Sequence, residues 1–434
     1  MPLGVAVSLV SVSCLLASCL FASCVQEFTS GDAGEVLLTF GDCDFTTKSV
    51  SPDEEKISDL TLFVFNRDGL LEVSHYFKSG DFIDSGPGCC SCKVNLLKGC
   101  RYSFYACANM GFRVRAENLE ELKKFRFYMA YPDDYRMGIP MSGSLEDVTA
   151  PQAGGRIAVP LRRTMAKVSV SVDRGRLSEG VEFDVTGVRI SGCPKSVALF
   201  DGNSVDCEDD IHAVGFSRTG YDVQPLNRSV SGQVSGEVSL YMFENLQGRP
   251  LGDVPDHGGK VFKDGDPLGW KCSYLELEAD YISEEYRSLP GKGLVYRLYL
   301  GDGPSDFNVE RNCHYHITVA PEDDGLGDDG WRVDKSGLEY LGEKYLKVSP
   351  GNYIHGHVGD VIHVRCALKP DWAEFDIGIE ELETDRGNGI YDYVVDPDGK
   401  GVILTLKGSG GGLLYFEAGP PVNETAMVVV VSDP

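Results

Sequence analysis

Short stretches of alternating apolar and polar residues, separated by glycine-rich turns, recur along almost the whole chain. In one of them, Ile57–Phe65, the alternation ends at the hairpin-turn sequence Asn66–Gly69. Helical periodicity is convincing in one stretch alone, residues 117–126. Because alternate side chains of a strand face opposite sides of a sheet, this pattern predicts an all-β protein built of sandwiches.

Composition supports this fold class and excludes some partners. The 434 residues include 51 Gly, 20 Tyr and 20 Phe, which are typical of strands joined by many turns. Lys and Arg number 40 against 66 Asp and Glu, giving a net charge of −26, and residues 1–24 contain none of these charges. Such a charge repels nucleic acid and anionic membranes, so a nucleic-acid-binding role is excluded.

The order of strand patterns and breakers predicts three β domains. The expected boundaries are a lipoprotein signal peptide at 1–24, a first sandwich at 25–156 and a second at 157–320. An acidic Gly/Asp linker at 321–334 then leads to an immunoglobulin-like sandwich at 335–434. The last module is expected to bury its Met427–Val431 run as a final strand.

Loops are predicted where Gly, Pro and Asp accumulate. The segments 139–144 and 152–155 are expected to be loops, and 247–269 is expected to form a long surface loop. Strands are expected in between, at 92–97, 102–108, 157–161, 166–172, 183–190, 197–200, 236–243, 272–282, 294–300 and 313–319, and in the last module at 344–348, 361–366, 373–379, 391–395, 402–407 and 413–416.

The apolar N-terminal stretch indicates export. Residues 16–19, Leu-Ala-Ser-Cys, fit the lipobox, in which a small residue precedes a cysteine that is acylated. Residues 21–24, Phe-Ala-Ser-Cys, are a near match followed directly by polar residues, which favours Cys24 over Cys19 as the lipidated cysteine. The usual basic region is missing before residue 10, so a cleaved secretory peptide without lipid stays an alternative.

Eleven further cysteines follow, an odd number for an exported chain. The densest group is Cys89, Cys90 and Cys92, with Cys100 and Cys107 beyond it. Thiolates at such short spacing are zinc ligands in other proteins, but the paired Cys-x-x-Cys spacing is absent. Disulfides or core thiols are the favoured interpretation, and no metal site is predicted.

Other chemistry-bearing residues have plain structural interpretations. His314 and His316 would share one face of a strand, yet the spacing supplies no acidic partner for a metal site. The acidic stretch 322–329 lacks the spacing of a calcium loop. The tryptophans at 270, 331 and 372 are expected to be core or linker anchors rather than a sugar platform.

The sequence also lacks the common catalytic signatures. The sequence contains no Gly-x-Ser-x-Gly elbow, no His-Glu-x-x-His and no phosphate-binding loop. We therefore expect a non-enzymatic protein with no catalytic residues and no cofactor.

Four ordered segments resemble the N-terminal domain of the fimbrillin-like proteins of type V pili: residues 57–71 (ISDLTLFVFNRDGLL), 102–111 (YSFYACANMG), the helix at 117–126 and 139–143 (IPMSG). Residues 159–172 and 296–319 resemble the entry and the closing strands of that family's second domain. The resemblance implies two transthyretin-like β-sandwich domains, export as a lipoprotein, and assembly by donating a strand to a groove in the neighbouring subunit.

The sequence departs from the polymerising members in two ways. In the major pilins, a protease cuts after a basic residue and removes the first strand. Here no Arg lies between Cys24 and Arg67, and only Lys48 and Lys56 precede the second predicted strand. The additional module at 335–434 is the second departure.

These departures favour a cell-surface lipoprotein held at the outer membrane, an anchor or minor subunit that keeps its first strand. Its expected partners are pilin subunits of the same fimbrium, joined by donor-strand complementation. The alternative is a tip adhesin or glycan-binding lipoprotein whose last module binds a host or polysaccharide ligand.

Overall fold

The computed structural model of the chain describes most of the sequence after the first 32 residues. The described residues are 33–41, 54–86, 88–129, 137–151, 154–213, 215–227, 233–263, 265–326, 332–334, 338–381 and 389–434. Of residues 332–334 and 381 only the backbone is described. The described residues are mostly β-strands, which confirms the all-β prediction.

The first sandwich consists of two facing sheets, with strand orders β4–β5–β1–β9 and β10–β8–β6–β2–β3. Its elements are β1 (Ala33–Gly41), β2 (Asp59–Asn66), β3 (Leu71–Lys78), a 3₁₀ turn (Ser79–Asp81), β4 (Asp84–Gly86), β5 (Cys89–Leu97), β6 (Arg101–Ala108), α1 (Leu119–Lys124), β7 (Arg126–Tyr128), β8 (Met141–Thr149), β9 (Arg156–Val159) and β10 (Arg162–Arg163).

Local sequence explains the turns of this sandwich. Asn66 accepts hydrogen bonds from the backbone of Asp68 and Leu70, both at 3.0 Å, and Gly69 takes the positive φ of 75° that closes the predicted hairpin. The predicted helix is present as α1, whose N-cap Asn118 accepts from the backbone N–H of Glu121.

Strand β2 is buried on both faces. Leu60, Leu62 and Val64 pack into the core between the two sheets of the first sandwich. Phe63 and Phe65 point the other way, into a larger core that continues into the second sandwich. The second sheet is therefore an inner layer of the protein, which explains why β2 is apolar at nearly every position.

The second sandwich packs the sheet β16–β11–β20 against a larger sheet of order β15–β13–β17–β18–β23, in which β17 also pairs with β19 and β19 with β22. Its elements are β11 (Met165–Val172), β12 (Arg176–Leu177), β13 (Glu182–Ser191), β14 (Ser196–Ala198), β15 (Phe216–Thr219), α2 (Gln224–Asn227), β16 (Val238–Phe243), α3 (Leu268–Lys271), β17 (Tyr274–Ile282), β18 (Tyr286–Ser288), β19 (Leu294–Tyr299), β20 (His314–Val319), β21 (Glu322–Asp323), β22 (Arg332–Asp334) and β23 (Leu338–Tyr340), with 3₁₀ turns at Glu208–Asp210, Gly220–Val223 and His257–Gly259.

The C-terminal sandwich has the sheets β24–β26–β29–β28 and β25–β31–β30–β27 around its own core. Val428 and Val430 of the last strand are fully buried, and that strand lies between two neighbours, as predicted for the 427–431 run. The elements are β24 (Tyr345–Ser349), β25 (Tyr353–His357), β26 (Val361–Lys369), β27 (Phe375–Glu381), β28 (Tyr391–Val395), β29 (Gly401–Leu406), β30 (Gly410–Ala418) and β31 (Glu424–Asp433).

The segment between the second and third sandwiches takes part in sheets. Within the predicted linker 321–334, β21 pairs with β12 and β22 pairs with β19. Strand β23, which lies past the predicted boundary at 335, pairs with β18 of the second sandwich. The domain boundaries themselves remain a prediction.

An aromatic cluster joins the last two sandwiches. The Trp372 indole donates a hydrogen bond of 2.9 Å to the Tyr286 hydroxyl, and its ring centroid lies 6.0 Å from that of Tyr340. This contact fits the predicted role of Trp372 as an anchor.

Two local predictions were wrong or incomplete. The predicted loop 139–144 is the start of β8, which begins at Met141 and pairs with β6 and β10. Gly and Pro suggested a breaker, but Gly143 is needed because Pro160 O lies 1.7 Å from where its Cβ would stand. Strand β25 was missed because Gly356 interrupts its short pattern.

The long segment 247–269 contains no strand among its described residues, as predicted. The Lys260 side chain fixes this segment to residues 300–307. The Lys260 ammonium is 3% exposed and donates to the carbonyls of Leu300 (3.2 Å) and Asp306 (2.6 Å), while lying 4.9 Å from the Phe307 ring centroid. Burial lowers the pKa of Lys260 to about 8, although Asp306 and Cys272 act in the opposite direction.

This buried amine predicts a contribution to stability that grows at alkaline pH. Between about pH 8 and the ordinary lysine value of 10.5, the unfolded chain keeps a proton that Lys260 has released in the folded chain, so the Lys260 contribution to the free energy of unfolding rises with pH. We expect this contribution, of about 1–3 kcal/mol, to be absent in Lys260→Met. Urea unfolding of both proteins across this window tests it. Buried thiols such as Cys107, whose pKa is raised, lower the stability of both proteins above pH 9, so the difference between the two curves isolates Lys260. Parallel pH curves for the two proteins would contradict the prediction.

Candidate functional site: the first strand and its groove

Strand β1 lies inside a sheet of the first sandwich rather than at its edge. It pairs antiparallel with β5, placing Leu38 opposite Cys92, and parallel with β9, placing Leu38 beside Ile157. Removal of a strand from the interior of a sheet leaves two unpaired strand edges. The resident β1 therefore satisfies the main-chain hydrogen bonds of both neighbours.

The side chains of β1 alternate between the core and the outer surface. Val36, Leu38 and Phe40 are 1%, 0% and 0% exposed and fill the space between the two sheets. Burying each such side chain stabilises the fold by about 1.5–3 kcal/mol. Without β1, this space would be an apolar groove with an open strand edge on each side.

Such a groove can bind an extended strand, which would form main-chain hydrogen bonds with both edges and place alternate side chains in the apolar space. In the described structure the groove is filled by the chain's own β1. A strand from another subunit can enter only by displacing β1 or after its removal.

The basic residues that follow β1 differ in their surroundings. Lys48 lies outside the described residues. Arg67 lies in the hairpin turn between β2 and β3, so a cut there would separate both β1 and the doubly buried β2 from the rest. Lys56 is exposed, but the segment around it is tied down on both sides.

Asn109 fastens the backbone next to Lys56. Its side-chain amide donates to the carbonyls of Lys56 (2.8 Å) and Ile139 (2.9 Å), while its side-chain oxygen accepts from the Ser58 N–H at 2.8 Å. Asn109 itself is buried with a positive φ of 63°, a conformation that Asn tolerates.

Glu54 fastens the same segment to the second sandwich. Its carboxylate accepts from the Lys167 ammonium at 3.0 Å and from the Tyr241 hydroxyl, and its backbone carbonyl accepts from the Arg163 guanidinium at 3.2 Å. The neighbouring Glu55 carbonyl accepts from the backbone N–H of Gly88 at 2.9 Å. Residues 54–58 are thus held in place, whereas a protease needs a locally opened segment.

This arrangement predicts slow cleavage after Lys56. Replacing Glu54 with alanine removes charge-assisted hydrogen bonds of about 1.5–3 kcal/mol, so native-state cleavage at Lys56 by a lysine-specific protease should accelerate about tenfold or more. Glu55→Ala is the matched control, because the Glu55 bond to Gly88 comes from its backbone carbonyl and is kept in the variant. Equal cleavage rates for the two variants would show that Glu54 does not protect this segment.

The predicted lipidation residues Cys24 and Cys19 lie outside the described residues, as does Cys43. Among the described residues, no helix is long and apolar enough to cross a membrane.

The cysteine cluster lies largely in the core. Cys92 points into the core of the first sandwich and Cys107 into the larger core, sharing a face with Tyr105 as predicted. Burial raises the pKa of both thiols to about 12, which makes them poor thiolate ligands.

The histidine pair lies on one face of β20, as predicted. The rings of His314 and His316 are 3.8 Å apart between centroids, and His314 contacts the Ser169 hydroxyl at 2.7 Å. Burial, with His316 and Lys167 nearby, lowers the pKa of His314. Within the part of the chain that is described, no three His, Cys, Asp or Glu side chains are grouped to hold a metal ion.

Sequence reasoning missed the two residues that secure the segment after β1. Glu54 belongs to no motif of the sequence, and Asn109 belongs only to the 102–111 segment. A single polar residue, Asn109, at the end of the apolar strand β6 was the available signal, since buried polar side chains need partners.

Comparison with known families gives two matches. Residues 43–173 match the family model described as "Major fimbrial subunit protein (FimA)", and residues 240–319 match a domain of unknown function, DUF4906. The first match covers the hairpin, helix and strand motifs that resemble the fimbrillin-like proteins, and it supports that assignment for the N-terminal part of the chain. No curated protein matches.

Solved structures with related folds include three fimbrial proteins. A fimbrilin (FimA) from Porphyromonas gingivalis W83 shares 12% identity over 70% of this chain and 95% of its own, with a TM-score of 0.44. A fimbrial assembly protein from Parabacteroides distasonis shares 15% over 71% and 93%, with a TM-score of 0.37. The fimbrial anchor protein Mfa2 from Porphyromonas gingivalis shares 16% over 57% and 78%, with a TM-score of 0.30.

Proposed function

We propose that this chain is a non-catalytic subunit of a cell-surface fimbrium that retains its first strand and acts as the anchor or a minor component. The observation that carries the proposal is the resident β1, fully buried at Leu38 and Phe40, which directly precedes the residues 43–173 that match the fimbrial subunit model and pairs with their strands β5 and β9. The protected position of Lys56 supports retention of that strand.

A self-filled groove gives the subunit a defined place in a polymer. Subunits joined by strand donation each need one open groove and one donated strand. A subunit whose groove is filled by its own β1 receives no strand there, so the polymer ends at that groove. It joins the neighbouring pilin by donor-strand complementation at the other side, which suits a terminal anchor.

Attachment is proposed to occur through acyl groups on Cys24 or Cys19 at the outer membrane. Cys24→Ser, Cys19→Ser and the double variant, expressed in the native cell and fractionated, test this. One single variant and the double variant should leave the membrane fraction for the soluble fraction. Membrane retention of the double variant would rule out lipid anchoring at these two residues.

Strand complementation with a pilin is tested by co-purification. The full chain should recover the neighbouring pilin from cells, and a pilin variant that keeps its own first strand, so that its groove is already filled, should no longer be recovered. Unchanged recovery would rule out the strand-exchange mechanism while leaving the lipid anchor untouched.

A second candidate is an adhesin whose C-terminal sandwich binds a host or polysaccharide ligand. The observation favouring it is the outer face of the sheet β25–β31–β30–β27, where Tyr353 and Met427 are 66% and 49% exposed. Tyr353→Ala in the full chain should then reduce adhesion to the ligand surface. An anchor would show no such dependence.

A further inference from the structure

A polar cleft lies where the first and second sandwiches meet, away from the β1 groove. Its volume is about 550 Å³, within the usual range of small-molecule sites. One wall is the start of β8 with Pro160 and Arg162, and the other is the loop 199–202 with Glu310 and Arg311.

The floor of the cleft is held rigidly by a buried ion pair. The Arg311 guanidinium donates to the Glu244 carboxylate at 2.6 Å and to the carbonyls of Ala198 (3.0 Å), Leu199 (3.2 Å) and Asp201 (2.7 Å). The same carboxylate accepts from the Asn203 N–H at 3.0 Å. These groups already form hydrogen bonds with one another and with the backbone, so they fix the shape of the cleft. A ligand would be recognised by the side chains at the rim.

The rim carries polar groups of a different kind. Within the described residues, the side chains of Ser144, Arg162 and Glu310 have no hydrogen-bond or ion-pair partner, and all three line the cleft. Half-buried Phe200 adds apolar surface between them, and its ring is held edge-on by Tyr105 at 5.2 Å. A ligand would find free donors, free acceptors and an apolar patch together.

The charges of the lining select the class of ligand. An anion would approach Arg162 but also the carboxylates of Asp201 and Glu310, on a chain of net charge −26. A cation would meet Arg162 and Arg311. A neutral molecule rich in hydroxyl groups can use both kinds of partner, because planar carboxylates and guanidinium groups each bond adjacent hydroxyls.

An extended peptide fits less well. The strands that reach the cleft, β8 and β10, already pair with each other through Arg162 and Ser142. The Ser142 hydroxyl is also engaged, donating to the Leu199 carbonyl. The edge strand β10 has only two residues, and its Arg163 N–H already donates to the Asn312 side-chain oxygen at 3.3 Å, so it offers little main-chain surface to a peptide strand.

We propose that this cleft binds a neutral oligosaccharide segment, with Arg162, Glu310 and Ser144 bonding its hydroxyl groups and Phe200 contacting the apolar side of a sugar ring. The site does not depend on the anchor role, since it involves neither β1 nor the lipid.

The test uses the full mature chain on an array of neutral oligosaccharides, followed by calorimetric titration with the trisaccharide that binds best. Arg162→Gln and Glu310→Gln should each weaken binding about tenfold or more, as expected for losing hydrogen bonds to a charged group. Arg115→Gln and Glu182→Gln are matched controls, since both residues are exposed and neither belongs to the cleft lining.

Each outcome decides the proposal. Binding that weakens in the two cleft variants but not in the controls, at unchanged unfolding midpoints, supports it. The absence of any bound oligosaccharide overturns it, as does binding that is insensitive to both cleft variants. A loss of membrane anchoring with intact sugar binding would refute the proposed function alone.

Discussion

Replacing Phe40 with alanine is expected to lower the free energy of unfolding by about 3–5 kcal/mol. The ring is fully buried between the two sheets of the first sandwich, so the change removes apolar contacts and leaves a cavity that rigid sheets close only in part. Urea unfolding at neutral pH measures the loss.

The matched control is Glu35→Ala on the same strand. The Glu35 side chain is exposed and forms a surface ion pair with Lys93 at 2.6 Å, so its loss should change stability by less than about 0.5 kcal/mol. If Phe40→Ala changed the free energy of unfolding as little as Glu35→Ala, β1 would not be an integral strand. The proposal that the chain fills its own groove would then be wrong.

Arg311→Met is expected to cost about 3–5 kcal/mol of stability. The variant leaves the Glu244 carboxylate buried without its cation and removes the donor that serves three backbone carbonyls. Chemical unfolding of the variant measures this cost.

A double-mutant cycle isolates the ion pair from the rest. Glu244→Gln combined with Arg311→Met should be less destabilised than the sum of the single variants, because the uncompensated charge is gone. Strict additivity would mean that the two side chains do not interact. This pair joins strand ends of the second sandwich below the cleft, so its loss should also loosen the loop 199–202.

Much of the fold was predictable from periodicity and turn chemistry. The hairpin at Asn66–Gly69 and the helix at 119–124 follow from local rules alone, since their hydrogen bonds lie within a few residues. The strands of the C-terminal sandwich other than β25 followed from alternation, and the buried 427–431 run from its length and composition.

What could not be predicted depends on contacts between distant parts of the chain. The start of β8 pairs with β6, which ends 33 residues before Met141, and with β10, which begins 21 residues after it, and this pairing outweighs the local preference for a loop. The strands within 321–340 form because the second sandwich offers them free edges, which their acidic composition does not reveal.

The site was predictable in outline only. Sequence reasoning gave the basic residues Lys48, Lys56 and Arg67, after which a protease could remove a first strand. It did not reveal that Glu54 reaches Lys167 and Tyr241 in the second sandwich, a contact across more than a hundred residues. That contact turns an exposed basic residue into a protected one.

The most direct test of the central claim is the intact mass of the protein taken from its native cell surface. We expect the mass of a chain that begins at Cys24 or Cys19, still carries acyl groups, and still contains β1 (Ala33–Gly41). A mass corresponding to an unlipidated chain that starts after Lys48, Lys56 or Arg67 would contradict it, because β1 would be gone and its groove open to a neighbour.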